Sequence, residues 1–401
     1  MTLMNSCLRA LAAAMVLALA PVAAAEPSTL RTIDPARLQT AVADAAAALL
    51  VPGALVLVRT PQGSFTAAVG TTDLGTSQPP TAQTHFRIAS NTKTMTAALI
   101  VLLAQQGALT LDDPVSRYVP GVPGGDDITV AQLLTMRSGL YGYTDAPELA
   151  AALDADPARA YTPALVLAMA FARPPRFAPG AEFDYSNTNY ALLGLVAERV
   201  TGKPLAVLFQ ERLLSPHGLT HTLLPAGDEL PAPYSHGYMY GGTSYALVDA
   251  DYPPEVQAAA RTGTLQPTDY TFQNPSYATA AGGAVSTADD LARWMRELVS
   301  GTVFDPQWHQ RWLDSVVAED PAEPEGQKYG YGISYQRFGP HAAMYYHGGE
   351  LPGFNSFMGH DPDNDVTLVI WTNLTVAPDG RTTANALLPV VLREIYRDLD
   401  F

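Results

Sequence analysis

Apolar and polar positions alternate in two pairs of short runs, one pair near each end of the chain. The first pair, residues 54–59 and 65–69, flanks a turn around Pro61-Gln62-Gly63. The second pair, residues 355–359 and 366–372, flanks a turn built from Asp, Pro and Asn. Alternation of this kind is typical of half-buried strands, so the pattern predicts a β-hairpin at each end.

Apolar positions recur with helical spacing in several longer segments. A run that follows Ser90 extends to about Gln106 and stops at Gly107, and residues 129–132 have the form of a capping box. Further predicted helices are residues 31–50, 187–200, 286–299 and 383–397. Long loops rich in Pro, Gly and Tyr separate the central helices, above all at residues 223–275.

Both ends of the chain therefore predict a hairpin with a helix, whereas the middle is mostly helical. The economical assembly is an α/β fold of the α+β type, in which an antiparallel sheet is flanked by the terminal helices and interrupted by a helical insertion. We assign residues 26–110 together with 278–401 to the sheet lobe, and residues 111–277 to the mostly helical lobe. A substrate pocket is expected where two such lobes meet.

Residues 1–25 have the composition of a secretory signal peptide. Arg9 is their only charged residue, residues 11–19 are apolar, and residues 23–25 offer a small-residue cleavage site. The apolar run is shorter than the roughly 20 residues that span a bilayer, which argues against a membrane anchor. We therefore expect a periplasmic or secreted protein with no membrane span after cleavage. The single cysteine, Cys7, lies within this segment, so thiol chemistry is not expected.

The chain carries 39 acidic and 23 basic residues, a formal net charge of −16. Such a charge repels nucleic acid and anionic membranes, so neither is expected as a partner. The histidine pair closest in sequence, His217 and His221, has no third ligand nearby, and no metalloprotease or phosphate-binding motif is present. We therefore expect no metal and no other cofactor.

Lysine is scarce, and one of the three lysines follows a serine at helical spacing. Lysine occurs at Lys93, Lys203 and Lys328, whereas every other basic residue is arginine. Only lysine can lose its proton when it is desolvated and then act as a base. Ser90 lies three positions before Lys93, which places both on one helix face. This pair is a candidate nucleophile and base, although an N-cap serine beside a solvated lysine would give the same pattern.

Two further segments carry chemistry. Tyr185-Ser186-Asn187 precedes a predicted helix, and its phenol and amide can relay a proton and bind a peptide group. His347-Gly348-Gly349 begins a strand-like run, and its glycines allow a substrate to approach backbone N–H groups closely. Each has a structural alternative, since Asn187 can be a helix cap, Tyr185 a packing residue and His347 a structural histidine.

The order and context of these three elements resemble the β-lactamase-like serine hydrolases of the class C β-lactamase and D-alanyl-D-alanine carboxypeptidase type, which recognise penicillin. The resemblance covers roughly residues 52–397. Its shared segments also include residues 86–89, 133–135, 138–140, 282–283 and 286–291. It implies a two-lobe fold with the site between an antiparallel sheet and a helical region.

The resemblance also implies roles for the residues of the three elements. Ser90 would be the nucleophile, Lys93 and Tyr185 the proton-transfer pair, and Asn187 the ligand of the substrate amide. His347 would face the substrate carboxylate or the tyrosine, and Gly348 and Gly349 would line the substrate. The oxyanion hole would consist of the backbone N–H groups of Ser90 and Glu350.

Two positions depart from the family pattern. Met136-Arg137 stands where relatives often have His-Thr, a change that removes no catalytic group. His347 stands where class C β-lactamases usually have Lys, which argues against efficient antibiotic hydrolysis. The free carboxylate of a peptide substrate needs a cation, and Lys328, Arg337 and His347 are the candidates.

The leading hypothesis is an exported serine hydrolase that forms an acyl-enzyme, most closely a D-alanyl-D-alanine carboxypeptidase-like peptidase or amidase. An esterase of the same fold is the first alternative, and a non-catalytic β-lactam-binding module is the second. The expected partners are a small peptide, amide or ester substrate and possible β-lactam ligands.

Overall fold

One antiparallel sheet of eight strands forms the centre of the computed structural model, which describes residues 29–247 and 251–399. The predicted leader at residues 1–25 lies outside the described residues. The strands in chain order are β1 (Gly53–Thr60), β2 (Gly63–Gly70), β3 (Phe86–Arg87), β4 (Tyr238–Met239), β5 (Thr268–Asp269), β6 (Val285–Ser286), β7 (Val317–Ala318), β8 (Lys328–Tyr329), β9 (Ser334–Gly339), β10 (Ala342–Leu351), β11 (Phe354–Asp361) and β12 (Val366–Thr372). The large sheet has the order β2-β1-β12-β11-β10-β9-β8-β7, and β3–β6 and β4–β5 form two short ladders.

The helices cover both faces of this sheet. In chain order, most of them lie between β2 and β7, the two edge strands. Among the described residues they are α1 (Pro35–Ala48), α2 (Thr92–Gln105), α3 (Val130–Leu134), α4 (Pro147–Ala155), α5 (Pro163–Phe171), α6 (Asn187–Thr201), α7 (Leu205–Phe209), α8 (Ser244–Leu247), α9 (Pro254–Arg261), α10 (Thr279–Gly282), α11 (Ala288–Val299), α12 (Pro306–Asp314) and α13 (Thr383–Ile395). No helix in the described ranges is both long enough and apolar enough to cross a bilayer.

The two faces of the sheet bury different sets of helices because successive strand residues point to opposite sides. In β1, Val56 and Val58 pack with the terminal helices α1 and α13. Leu55 and Leu57 of the same strand belong to the larger core that includes α2, α6 and α11. The central strands β11 and β12 are buried along their whole length, because helices cover both faces.

The predicted fold class is confirmed, and most predicted elements are found within a few residues of their predicted bounds. The two terminal hairpins are β1–β2 and β11–β12, and both are antiparallel. The capping box at Thr129 and Gln132 is formed, and α6 ends at Gly202 in the left-handed conformation. How the chain divides into two lobes stays a prediction.

One prediction about the strands was wrong. His347 was expected to begin a strand, but it lies in the middle of β10, which starts at Ala342. The run before His347, which includes Met344 and Tyr345, pairs with β9. Two adjacent tyrosines obscured the alternation there, since Tyr345 and Tyr346 are half-buried on opposite faces.

Candidate active site

Ser90 lies in a single 3-10 turn, Ala89–Asn91, directly before α2. Ala89 has a φ of 50°, a left-handed conformation that is unfavourable for a residue with a Cβ. The turn is held from two sides, since the Asn91 amide donates to the Ile88 carbonyl at 2.9 Å and to Ser356 Oγ at 2.8 Å. The strained backbone thus presents Ser90 at the start of a helix, as the sequence predicted.

Lys93 follows one turn later and is completely buried. Its Nζ lies 2.8 Å from Ser90 Oγ, 2.7 Å from Asn187 Oδ1 and 2.8 Å from the Ala281 carbonyl oxygen. Burial lowers the pKa of the Lys93 amine well below its ordinary value, and no carboxylate lies among these three partners. The solvated lysine that was the structural alternative is therefore wrong.

The three partners of Lys93 indicate where its protons lie. Asn187 Oδ1 and the Ala281 carbonyl can only accept, whereas the Ser90 hydroxyl can also donate. A neutral amine has two N–H groups and one lone pair, so it satisfies both acceptors and can receive the hydroxyl proton of Ser90. The geometry is that of a base beside its nucleophile.

Asn187 opens α6 and connects two parts of the site. Its Oδ1 accepts from Lys93, and its Nδ2 donates to Thr144 Oγ1 at 2.9 Å. The side chain of Asn187 makes no cap on its own helix, so the capping alternative is not what the structure shows. Thr144 was not identified from the sequence, because an isolated threonine in a loop carries no pattern.

Tyr185 closes the same cluster from the solvent side. Its ring centroid lies 4.8 Å from Lys93 Nζ, and 38% of the residue is exposed. Desolvation of the phenol by the surrounding protein raises the pKa of Tyr185, and a side-chain hydrogen bond with Ser90 partly offsets this increase. The phenol therefore keeps its proton near neutral pH and can exchange it with the groups beside it.

His347 lies on β10, buried behind Tyr185. Its Nδ1 is 2.6 Å from the Gly348 carbonyl, so Nδ1 carries the proton and Nε2 is free to accept from the Tyr329 hydroxyl at 3.2 Å. Burial, followed by the nearby Lys93, lowers the pKa of His347 to about 3. His347 faces Tyr185, with ring centroids 6.3 Å apart, and its lowered pKa favours a neutral hydrogen-bonding group. Its contact with a substrate carboxylate stays a prediction.

Tyr329 is a member of this cluster that the sequence did not reveal. It lies on β8 and contacts both His347 and Tyr185 through its ring, with centroids 6.0 and 6.3 Å apart. Its segment, residues 329–332, alternates tyrosine and glycine, and that composition was the one available signal.

The two glycines after His347 meet different surroundings. A Cβ on Gly349 would lie 2.3 Å from the Ile88 carbonyl oxygen, whereas on Gly348 it would meet nothing nearer than the Ser356 carbonyl oxygen at 3.7 Å. Gly349 is therefore required by the close approach of β10 to the turn that carries Ser90. Gly348 has room for a small side chain.

A narrow cavity of about 30 Å³ lies directly beside Ser90. Its lining is Ser90, Tyr143, Thr144, Asn187, Leu247, Tyr277, Ala278, Ala281, Gly282, Glu350 and Leu351. Lys328 lies half-buried on β8 and Arg337 is exposed on β9, and neither lines this cavity. The structure thus places none of the three candidate carboxylate readers in the cavity as a cation.

The departure at Met136-Arg137 is structural. The Met136 backbone has a φ of 58°, and the guanidinium of Arg137 donates to the Ala318 carbonyl on β7 at 2.7 Å.

The two histidines closest in sequence have carboxylate neighbours: His217 bonds Glu297, and His221 lies near Asp290. No group of three or more potential metal ligands is found within residues 29–247 and 251–399.

The chain is similar to known proteins over most of its length. The family model described as Beta-lactamase matches residues 38–392. Protein Rv1367c of Mycobacterium tuberculosis is 30% identical over 254 residues, which cover 59% of this chain and 59% of that protein.

Two solved structures share both fold and sequence similarity with the chain. The D-stereospecific amidohydrolase from Streptomyces sp. is 28% identical with a TM-score of 0.76, over 90% of this chain and 99% of that one. The D-amino acid amidase from Ochrobactrum anthropi SV3, complexed with L-phenylalanine amide, is 26% identical with a TM-score of 0.74, over 90% and 97% of the two chains.

Proposed function

The chain belongs to the beta-lactamase family of serine hydrolases, and on this premise we propose that it hydrolyses D-amino-acid amides or short D-peptides through an acyl-enzyme on Ser90. The observation that carries the proposal is the 2.8 Å distance between Ser90 Oγ and the buried Lys93 amine. The amidase structures that resemble the chain support the amide bond and the D configuration as targets.

In the proposed acylation step, neutral Lys93 takes the proton of the Ser90 hydroxyl while Oγ attacks the substrate carbonyl carbon. The resulting oxyanion is bound by the backbone N–H groups of Ser90 and Glu350. The C–N bond then breaks, the leaving amine receives a proton through Lys93 and Tyr185, and the acyl group stays on Ser90. Asn187 holds both Lys93 and the substrate amide.

Deacylation reverses the roles of the same groups. Water loses a proton to the Lys93 and Tyr185 pair, attacks the ester carbon and releases the carboxylic acid, and Ser90 regains its proton. His347 takes part as a neutral hydrogen-bonding group behind Tyr185.

The β10–β11 hairpin supports the assignment of Glu350 to the oxyanion hole. Leu351 and Phe354 close a turn of two residues, and Glu350 faces Asn355 in the next pair. Since the pair that closes such a hairpin is hydrogen-bonded and pairs alternate, the Glu350 N–H points away from β11. This direction supports the assignment of the Glu350 N–H to the oxyanion hole.

The cavity supports an amidase more than a carboxypeptidase, because a D-alanyl-D-alanine carboxylate would meet no cation in its described lining. Export through the leader at residues 1–25 is part of the proposal and rests on the sequence.

The proposal is tested by measuring hydrolysis of D-phenylalanine amide, L-phenylalanine amide, a D-alanyl-D-alanine peptide and p-nitrophenyl acetate with one enzyme preparation. We expect ammonia release from the D-amide at a higher kcat/KM than from the L-amide. Turnover of the ester alone would establish the esterase alternative. A penicillin adduct without turnover of any of these substrates would establish the binding module.

A further inference from the structure

Tyr329 connects two groups that lie behind the proposed reaction centre. It belongs to β8, and only 2% of the residue is exposed. Its hydroxyl lies 3.2 Å from His347 Nε2, and its ring packs edge-on against Tyr185 with an interplanar angle of 88°. Tyr329 does not line the narrow cavity beside Ser90. Any part that it has in the reaction therefore passes through these two neighbours.

The direction of the hydrogen bond between Tyr329 and His347 follows from the other imidazole nitrogen. The Gly348 carbonyl, 2.6 Å from Nδ1, can only accept, so a neutral imidazole carries its proton on Nδ1 and presents Nε2 as an acceptor. A buried acceptor without a donor is unfavourable, and the Tyr329 hydroxyl supplies the donor. Tyr190 is a second hydroxyl neighbour of Tyr329, and its own proton goes to the Leu134 carbonyl at 2.9 Å. The His347 ring is thus held at both nitrogens.

Three aromatic rings meet behind the candidate proton-transfer pair. The centroid of the His347 ring lies 6.3 Å from that of Tyr185 and 6.0 Å from that of Tyr329. The Tyr185 ring in turn has Lys93 Nζ 4.8 Å from its centroid. Because 38% of Tyr185 is exposed, these neighbours supply much of the surface on which its ring rests. A turn of the His347 ring would change that surface, and small misplacements of a reacting group lower rates strongly.

We propose that Tyr329 is a positioning residue for the proton-transfer step, because its hydroxyl fixes the His347 ring and the two rings together hold the Tyr185 phenol beside Lys93. This inference rests on the proposed function, in which Tyr185 transfers a proton. Groups that support a reacting side chain from behind set its orientation without touching the substrate. Loss of the Tyr329 hydroxyl should therefore affect turnover more than substrate binding.

Tyr329→Phe removes the hydroxyl and keeps the ring. With D-phenylalanine amide we expect kcat about 10-fold below the wild-type value and KM within about 2-fold of it, since the phenol is misplaced after the substrate has bound. The NMR resonance of His347 Nε2 should also shift, because that nitrogen loses its donor. The matched control is Tyr335→Phe, at a half-buried tyrosine of the adjacent strand β9 whose ring packs on Tyr345. It should change neither kcat nor the resonance.

A second background tests whether Tyr329 acts through His347. In His347→Ala the Tyr329 hydroxyl has no imidazole to fix, so addition of Tyr329→Phe should lower kcat by less than about 2-fold more. An undiminished loss in that background overturns the proposed route. A Tyr329→Phe enzyme with wild-type kcat overturns it as well.

The outcomes separate this inference from the proposed function. A wild-type enzyme that hydrolyses no amide contradicts the proposed function, whereas the NMR of His347 still tests the contact with Tyr329. If Tyr329→Phe shows no cooperative thermal unfolding, the wild-type spectrum decides, because an Nε2 that accepts no hydrogen bond overturns the role of Tyr329. A hydrogen-bonded Nε2 together with an unchanged kcat in Tyr329→Phe overturns the positioning role and leaves the amidase proposal standing.

Discussion

The helix wall of the cleft, formed by Ser90, Lys93 and Asn187, is held together by direct hydrogen bonds between the candidate reacting groups. The strand wall, formed by residues 347–350, is instead held by contacts that do not involve the candidate nucleophile or base. His347 is fixed by its neighbour's carbonyl and by Tyr329, and Gly349 by its close approach to Ile88. In the helix wall, the candidate nucleophile and base lie three residues apart in the sequence. The properties of the strand wall depend instead on packing against other segments of the chain.

This difference determines the charge of each wall. Burial lowers the pKa of Lys93 and also that of His347, so the protonated form of each residue is disfavoured in the cleft. Both walls thus favour groups that exchange or accept protons over fixed positive charges.

The largest effect is expected on the helix wall from Ser90→Ala. Loss of the hydroxyl should reduce kcat/KM for the amide by at least about 10⁴-fold, because no acyl-enzyme can form. The free energy of unfolding should change by no more than about 1 kcal/mol. Ser300→Ala, at an exposed serine on the C-terminal cap of α11, should leave activity unchanged. A Ser90→Ala enzyme with more than a few per cent of activity would place the nucleophile elsewhere.

Lys93→Arg should reduce kcat/KM by at least about 100-fold, since a guanidinium keeps its proton and supplies no base. Lys203→Arg is the matched control, because Lys203 forms an exposed ion pair with Glu211 at 2.6 Å. The control should retain full activity. Near-normal turnover by Lys93→Arg would mean that the amine acts only as a positive charge.

The helix wall also predicts a pH dependence for wild-type enzyme. Because the pKa of Lys93 is depressed and the neutral amine is the active form, kcat/KM should rise as pH rises through that depressed value and then level off below pH 10.5. A rate that falls as the pH is raised from 6 to 9 would mean that the protonated amine is required.

On the strand wall, Gly349→Ala and Gly348→Ala should have very different effects. The first forces a Cβ against the Ile88 carbonyl and should destabilise the protein by about 1–3 kcal/mol. It should also lower activity, since Ile88 leads into the turn of Ser90. The second finds space and should leave the unfolding temperature nearly unchanged. Equal unfolding temperatures for both variants would contradict the described approach of β10 to that turn.

The smallest change is expected from His347, whose imidazole should stay neutral throughout the physiological range. NMR of labelled histidine should show the Nδ1–H tautomer from pH 8 down to pH 5, because the pKa lies at about 3. The depressed pKa also means that the unfolded chain binds this proton first. The contribution of His347 to stability is therefore lost as pH falls below about 6.5. A titration midpoint near 6.5 would restore the cationic role.

The sequence predicted the Ser90 and Lys93 pair of the helix wall because the information for that pair is local. A serine and a lysine three residues apart share a helix face whatever the rest of the chain does, and Gly107 and Gly202 end their helices as expected. Hairpins and terminal helices were likewise predictable from period alone, since alternation and helical spacing need no distant partner.

The strand wall could not be predicted in the same way. The charge state of His347 depends on Tyr329, on burial and on Lys93, which lies more than 250 residues earlier in the chain. Two contacts of the helix wall are also tertiary. They are the Ala281 carbonyl against Lys93 and the Thr144 hydroxyl, which a loop places against Asn187. Such contacts leave no period or motif in a sequence.

Direct detection of the covalent intermediate tests whether Ser90 is the nucleophile. Enzyme is mixed with D-phenylalanine amide, quenched with acid within milliseconds to seconds, and digested for mass spectrometry of the peptide that contains Ser90. We expect a phenylalanyl group on Ser90 that decays as product forms, and no such group in Ser90→Ala. Hydrolysis of the amide with no acyl group on Ser90 at any quench time, or with the group on another residue, would contradict it.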